Sequence, residues 1–213
     1  MPKSHQWMEN SDVLPIFPTL VWKVQLTSGA LESVNGRVLK ALTILRPSGT
    51  GSVSSEGWQS HKDLHKLDEF RELVSYINDT GRTILQFLKI SYDAIEITGC
   101  WANINPEGAS HRSHSHPNNF LSGGYYVQTR DGGDTINFHD PRIQTGIIRP
   151  PVTELTAENT DQVVIKVSNG TLLIFPAYLQ HSVDPNRSGE ERISISFNMM
   201  FSSFTENLSK PLW

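Results

Sequence analysis

Four apolar residues at alternate positions, Leu20, Trp22, Val24 and Leu26, predict that LPIFPTLVWKVQL enters the fold as a strand. Ser28 then offers a helix N-cap, and Leu31, Val34, Val38, Leu42 and Leu45 recur at the spacing of one helical face. That helix should stop before Pro47, with SGTGS as a flexible connection. A second helix is expected from about Asp68, with Phe70, Leu73, Val74, Ile77, Ile84 and Leu88 on one stripe. Gly81 lies on the same stripe, which predicts close backbone packing rather than a break. Both stripes read as core that buttresses a sheet, not as a cofactor box.

Beyond Ile90 the period changes from helical to strand-like. AIEITGCWANI, LSGGYYVQT, DTINFHD, VVIKV, TLLIFP, YLQHSV and RISISFNMMF are short apolar runs separated by turn signals such as DGG, SNG and DPNRSGEE. A long polar loop with Pro150 and Pro151, residues 142–162, interrupts the series and is a candidate lid or a passive connection. About eight short strands with regular turns indicate a β-sandwich or barrel. The expected fold is α+β, with a jelly-roll (double-stranded β-helix, cupin-like) core and N-terminal helices packed against the sheet. At 213 residues the chain suits one domain, with 1–94 as a mainly helical support and 95–201 as the core that carries the site.

Composition narrows the function classes. A net charge of −4 and the lack of a lysine/arginine-rich run argue against a nucleic-acid partner. No apolar stretch approaches a membrane span, and MPKSHQWMENSD lacks the apolar segment of a secretory signal. Cys100 is the only cysteine, which fits a reducing compartment. The expectation is a cytoplasmic protein, where ferrous iron is tolerated.

The candidate chemistry centres on HRSHSHPNNFLSGGYY, His111 to Tyr126. On an extended strand His114 and His116 share one face, and two imidazoles make half a metal site. The plainer reading is a solvated polar turn, since Pro117, Asn118 and Asn119 follow. His181 is the candidate for the other half. In the last strand Ile193, Ile195, Phe197 and Met199 fall on one face, and Arg192, Ser194, Ser196 and Asn198 on the other. A tight turn is expected to fold the His181 and Arg192 strands into a hairpin. An arginine fork beside a metal suits a carboxylate gripped by two parallel hydrogen bonds.

WANIN, HSHPNNFLSGGYYV, INFHDPR, GTLLIFPAYLQHSV and ERISISFN stand in an order that resembles the Fe(II)/2-oxoglutarate-dependent oxygenases. The resemblance is strongest to the prolyl-hydroxylase-like group and a bacterial and phage branch of it, and it spans roughly Trp101 to Asn198. GWQSHKDL, from Gly57 to Leu64, resembles that branch's N-terminal signature. The resemblance implies His114 and His181 as iron ligands and Arg192 as the grip on the 5-carboxylate of 2-oxoglutarate. It adds Ser194 as a hydroxyl to that carboxylate, with Tyr126 and Asn103 as cosubstrate contacts. The family's H-x-D carboxylate is replaced here by His116, so three histidines form the expected ligand set, with Asp140, Asp134 and His111 as alternatives for the third. The implied cofactors are Fe(II), 2-oxoglutarate and O2, with hydroxylation of a small molecule or peptide as the default outcome. A three-histidine metalloenzyme without 2-oxoglutarate and a catalytically silent jelly-roll binding protein are the other readings.

Overall fold

The computed structural model describes residues 9–46, 57–91, 94–142, 147–148 and 150–202. It contains ten strands and two α-helices, β1 (Trp22–Gln25), α1 (Ser28–Leu45), β2 (Trp58–Gln59), α2 (Arg71–Phe87), β3 (Ile95–Asn105), β4 (His111–His114), β5 (Leu121–Gln128), β6 (Thr135–His139), β7 (Gln162–Lys166), β8 (Thr171–Pro176), β9 (His181–Val183) and β10 (Arg192–Phe201). A six-stranded sheet has the order β1-β8-β5-β10-β3-β2, and a four-stranded sheet the order β4-β9-β6-β7. Every pairing between these strands is antiparallel. This is the expected double-stranded jelly roll with helices on one side.

Two apolar layers hold it together. The larger lies between the helices and the six-stranded sheet, where Val34, Val38, Leu42, Phe70, Leu73, Ile77 and Ile84 meet Ile195, Phe197, Met199 and Tyr125. Each fully buried side chain of this size stabilises the fold by about 1.5–3 kcal/mol. The smaller lies between the two sheets and includes Tyr126, Ile136, Phe138, Leu173 and Phe175. Strand parity makes β10 a wall of both layers, with its apolar residues toward the helices and its polar ones toward the second sheet. Cys100 belongs to the helix-side layer, and burial pushes its thiol up to about 12.

Gly81 packs as the stripe requires, because a Cβ there would stand 2.9 Å from the Met199 methyl. Several expectations need correction. Thr27, not Ser28, caps α1: its backbone is extended and its hydroxyl oxygen accepts from the Ala30 N–H at 3.4 Å. The second helix opens with a 3₁₀ turn at Asp68–Phe70 before α2 begins at Arg71. The first strand is only four residues long, and Leu14, Ile16 and Phe17 lie exposed ahead of it. SGTGS lies outside the described residues, as does part of the 142–162 loop.

The expected hairpin between the His181 and Arg192 strands does not form. β9 lies in the small sheet and β10 in the large one, so residues 184–191 cross the edge of the sandwich. Asn186 holds that crossing: its Nδ2 donates to Asn105 O at 3.0 Å and to Glu190 O at 2.7 Å, and its N–H to Ala109 O at 3.0 Å. The side-chain amide thus bends the chain away from a direct return.

The two adjacent glycines of β5 test this facing. A Cβ on Gly123 would lie 2.4 Å from both Leu173 O and Phe197 Cζ, whereas one on Gly124 meets only the Tyr126 side chain, its hydroxyl at 3.8 Å. Gly123→Ala should cost roughly 1–3 kcal/mol from overpacking, and Gly124→Ala should leave stability unchanged. Urea denaturation of both variants checks this, and equal effects would contradict the assignment of the two faces.

Candidate metal and carboxylate site

The pairing of β4 with β9 sets His114 directly opposite His181. β4 ends at His114, so His116 lies just past the strand and not on it as expected; its N–H donates to Ala177 O at 2.9 Å. The backbone still brings the three rings together, with centroids 4.4 Å apart for His114 and His181, 5.0 Å for His114 and His116, and 5.1 Å for His116 and His181. One ring nitrogen of each lies within 4.8 Å of the others, in the one such His/Cys/Asp/Glu group among the described residues.

The tautomers follow from the hydrogen bonds. A carbonyl only accepts, so His114 Nδ1 must donate to Arg112 O at 2.8 Å and His181 Nδ1 to Leu179 O at 3.0 Å. Both rings therefore keep Nε2 as a lone-pair donor for a metal, with orientation fixed from behind. Burial, then the charges of His181, His114 and Lys62, pushes His116 down to about 3. Burial likewise pushes His181 down to about 4, against the opposing pull of its bond to Leu179 O. Both imidazoles are neutral at pH 7, the form that ligates. His181 is buried under Phe175 and Phe138, His116 meets the Trp101 edge, and His114 is exposed.

Across the sandwich the large sheet supplies a polar floor. Ser194 lies opposite Asn103 on one side and Tyr126 on the other, and Ser196 opposite Trp101 and Gly124. Arg192 stands at one end, 5 % exposed, with its guanidinium 5.3 Å from the Tyr126 ring centroid. Among the described residues its buried Nε has no hydrogen-bond partner. Burial pushes the Tyr126 hydroxyl up, and the Arg192 guanidinium pulls it partly back. These groups and the histidines line one cavity of about 100 Å³.

All seven predicted residues, His114, His116, His181, Arg192, Ser194, Tyr126 and Asn103, line this cavity. The alternative third ligands do not join the triad. Asp140 bonds to Arg142, Asp134 lies 3.1 Å from Lys166 Nζ, and His111 Nε2 contacts the Asn105 amide. Sequence reading passed over Gln59, whose Nε2 donates to Asn103 Oδ1 at 2.9 Å while Asn103 Nδ2 donates to Ser196 Oγ at 2.9 Å. GWQSHKDL therefore gains a physical role: it edges the large sheet and orients Asn103. A two-residue strand carries no periodicity, so the motif itself was the available signal.

The donor set fits a metal with a carboxylate-bearing ligand. Three neutral imidazoles leave a divalent ion's full charge in place, and a buried guanidinium with an unpartnered donor suits a carboxylate. Gly124 adds room, because a Cβ there would project toward the Tyr126 ring in the cavity.

Residues 99–198 match the family model described as "Putative 2OG-Fe(II) oxygenase". No curated protein matches the chain. Among solved structures, a Pseudomonas putida prolyl-4-hydroxylase is similar at 15% identity over 86% of this chain and 93% of that one, with a TM-score of 0.58. A Trichoplax adhaerens prolyl hydroxylase in complex with a hypoxia inducible factor peptide fragment aligns at 15% identity over 89% and 87%, with a TM-score of 0.60. HygX from Streptomyces hygroscopicus with nickel, 2-oxoglutarate and hygromycin B bound aligns at 12% identity over 86% and 84%, with a TM-score of 0.58. These likenesses establish the fold. Among the described residues no helix is long and apolar enough to cross a membrane. The three metal-competent histidines lie inside the stretch that matches this 2OG-Fe(II) oxygenase family model.

Proposed function

We propose that His114, His116 and His181 hold Fe(II), that Arg192 grips the 5-carboxylate of 2-oxoglutarate, and that the enzyme hydroxylates a small molecule or peptide. The observation that carries this is the convergence of three ring nitrogens across a small cavity from a buried arginine with an unpartnered donor. When bound, Fe(II), 2-oxoglutarate and O2 couple decarboxylation to succinate and CO2 with oxidation of a substrate C–H bond.

The protein's share is positioning and exclusion of water. His114 and His181 arrive with Nδ1 already committed to carbonyls, so neither ring must reorient to ligate. Arg192, stacked on Tyr126, fixes the far end of a dicarboxylate and thereby its reach toward the histidines. Ser194 adds a hydroxyl on the same strand face, and Asn103, held between Gln59 and Ser196, presents a fixed amide. His116 in place of a carboxylate leaves the site one unit more positive, which favours a dianionic ligand. Phe138 and Phe175 keep the His181 side dry. The exposed His114 side is where substrate enters, and a small molecule or peptide is in keeping with two structural neighbours, one solved with hygromycin B and one with a peptide fragment. The chain acts as one domain, with residues 1–94 as support for a core at 95–201, and works in the cytoplasm.

Three outcomes are expected. Anaerobic addition of Fe(II) and 2-oxoglutarate together should produce a visible charge-transfer band; a spectrum equal to the sum of the separate additions would remove the cosubstrate assignment. His116→Ala should weaken Fe(II) binding by at least tenfold, while His116→Asp, which restores the commoner ligand set, should retain it. Wild-type Fe(II) affinity in His116→Ala would move the third ligand elsewhere.

The third outcome concerns pH in the metal-free protein. In the unfolded chain these imidazoles take up protons near 6.5, whereas in the fold His116 and His181 stay neutral to about 3 and about 4. The unfolded state then binds more protons between those limits, so stability is full above about 6.5 and falls as pH drops toward 4. Urea midpoints from pH 7.5 to 4.5 measure the slope, which should be shallower in His116→Gln. An identical slope in the two proteins would contradict a neutral His116.

A further inference from the structure

The pairing of β4 with β9 is irregular in one informative way. His111 lies opposite Val183 and His114 opposite His181, so three steps on β4 match two on β9, with the register shift between them. In an unbroken strand, residues three apart point to opposite faces. A bulge inserts one residue and cancels that opposition. His111 therefore turns into the same cavity as His114, where burial, and then the nearby Arg192 guanidinium, disfavour its protonated form.

His111 is not one of the metal-competent three. Its Nε2 lies 3.0 Å from Asn105 Nδ2 and 3.3 Å from Asn105 Oδ1. Asn105 is buried and stands opposite Arg192 in the β3–β10 ladder, and its carbonyl is tied to Asn186. The amide therefore holds the imidazole by one nitrogen. The shorter of the two contacts has Asn105 Nδ2 donating to Nε2, and in that tautomer the ring proton sits on Nδ1, the nitrogen not engaged by Asn105. Val183, the residue across from it, is apolar and has no use for a donor.

We propose that His111, aimed by the β4 bulge and held by Asn105, is a second hydrogen-bond donor to the far carboxylate of the 2-oxo diacid that Arg192 grips. The inference rests on the Arg192 reading above. It makes the clamp two-sided, with guanidinium and imidazole on one carboxylate, and it makes His111 a determinant of cosubstrate choice rather than of metal binding. A 2-oxo acid with no far carboxylate gains nothing from it.

The test is an anaerobic titration of the Fe(II)-loaded full chain, followed by the charge-transfer band, with 2-oxoglutarate and separately with 2-oxobutyrate, which lacks the second carboxylate. His111→Ala should raise the half-saturating 2-oxoglutarate concentration roughly tenfold, the scale of one charge-assisted hydrogen bond. It should leave 2-oxobutyrate and Fe(II) affinity at wild-type values. His111→Gln, which keeps a donor, should recover part of the loss. His111→Phe keeps the ring volume without either nitrogen and carries the same test should Ala unfold the strand. An equal loss for both 2-oxo acids, or loss of Fe(II), would place His111 on the metal side and overturn the proposal. Wild-type 2-oxoglutarate binding in His111→Ala together with weakened binding in Arg192→Ala overturns it while the Arg192 clamp stands. Wild-type binding in Arg192→Ala would remove the clamp itself, and this inference with it.

Discussion

A guanidinium buried between two sheets is the constraint around which this molecule is arranged. Arg192 is 5 % exposed and its Nε is unpartnered. A cation taken out of water without an anion lowers the stability of the fold by several kcal/mol. The Tyr126 ring beneath it offsets part of that, as cation–π contacts of about 1–2 kcal/mol do. The remainder is carried by the opposite face of the same strand, where Ile193, Ile195, Phe197 and Met199 enter the helix-side core. Strand alternation thus makes the segment that stabilises the protein also the one that holds its least comfortable charge. An anion that binds Arg192 removes the strain and adds its own binding free energy to stability.

The two halves of the site belong to different sheets. The histidines stand on the small sheet and its flanking segment, the polar floor on the large one. Their separation is fixed by the thin apolar layer of Phe138, Phe175 and Leu173 between the sheets, and by the crossing at Asn186. Because Asn186 ties the approach to Arg192 to the loop before β4, movement at one half is resisted at the other. The edge strand at Trp58 and Gln59 closes a third side and sets the Asn103 amide by a chain of hydrogen bonds across three strands.

Much of this was legible in the sequence, and what escaped did so for physical reasons. The helical stripes, the long strands β3, β5 and β10, and the close packing at Gly81 are written in periodicity, because burial on one face selects residue type at that period. The seven cavity residues were legible through resemblance and parity together. β2 was not, since two residues show no alternation, and β4 was legible only through its histidines, because HRSH carries no apolar period. The supposed His181–Arg192 hairpin failed because a tight turn and a sheet crossing share the same turn-forming residues, here DPNRSGEE; the difference lies in Asn186, whose side chain bonds to Asn105 far away in sequence. His116 meets the other two rings by a route that strand pleat does not predict: the strand ends before it, and the Ala177 carbonyl holds its backbone in place.

The position of sulfur in this architecture bears on how the protein wears out. Cys100 and Met199 lie behind the large sheet, in the helix-side core, with the thiol buried and protonated. Thiolate is the oxidisable form of cysteine, so this one is chemically quiet. The rings that face the cavity are Trp101, Tyr126 and the histidines. Oxidising equivalents that miss the substrate therefore meet aromatic carbon before sulfur, and a β-sheet one residue thick separates the two. Turnover without substrate should leave its mark as hydroxylated Trp101 or Tyr126, a scar inside the pocket, while the packing that keeps the chain folded is spared.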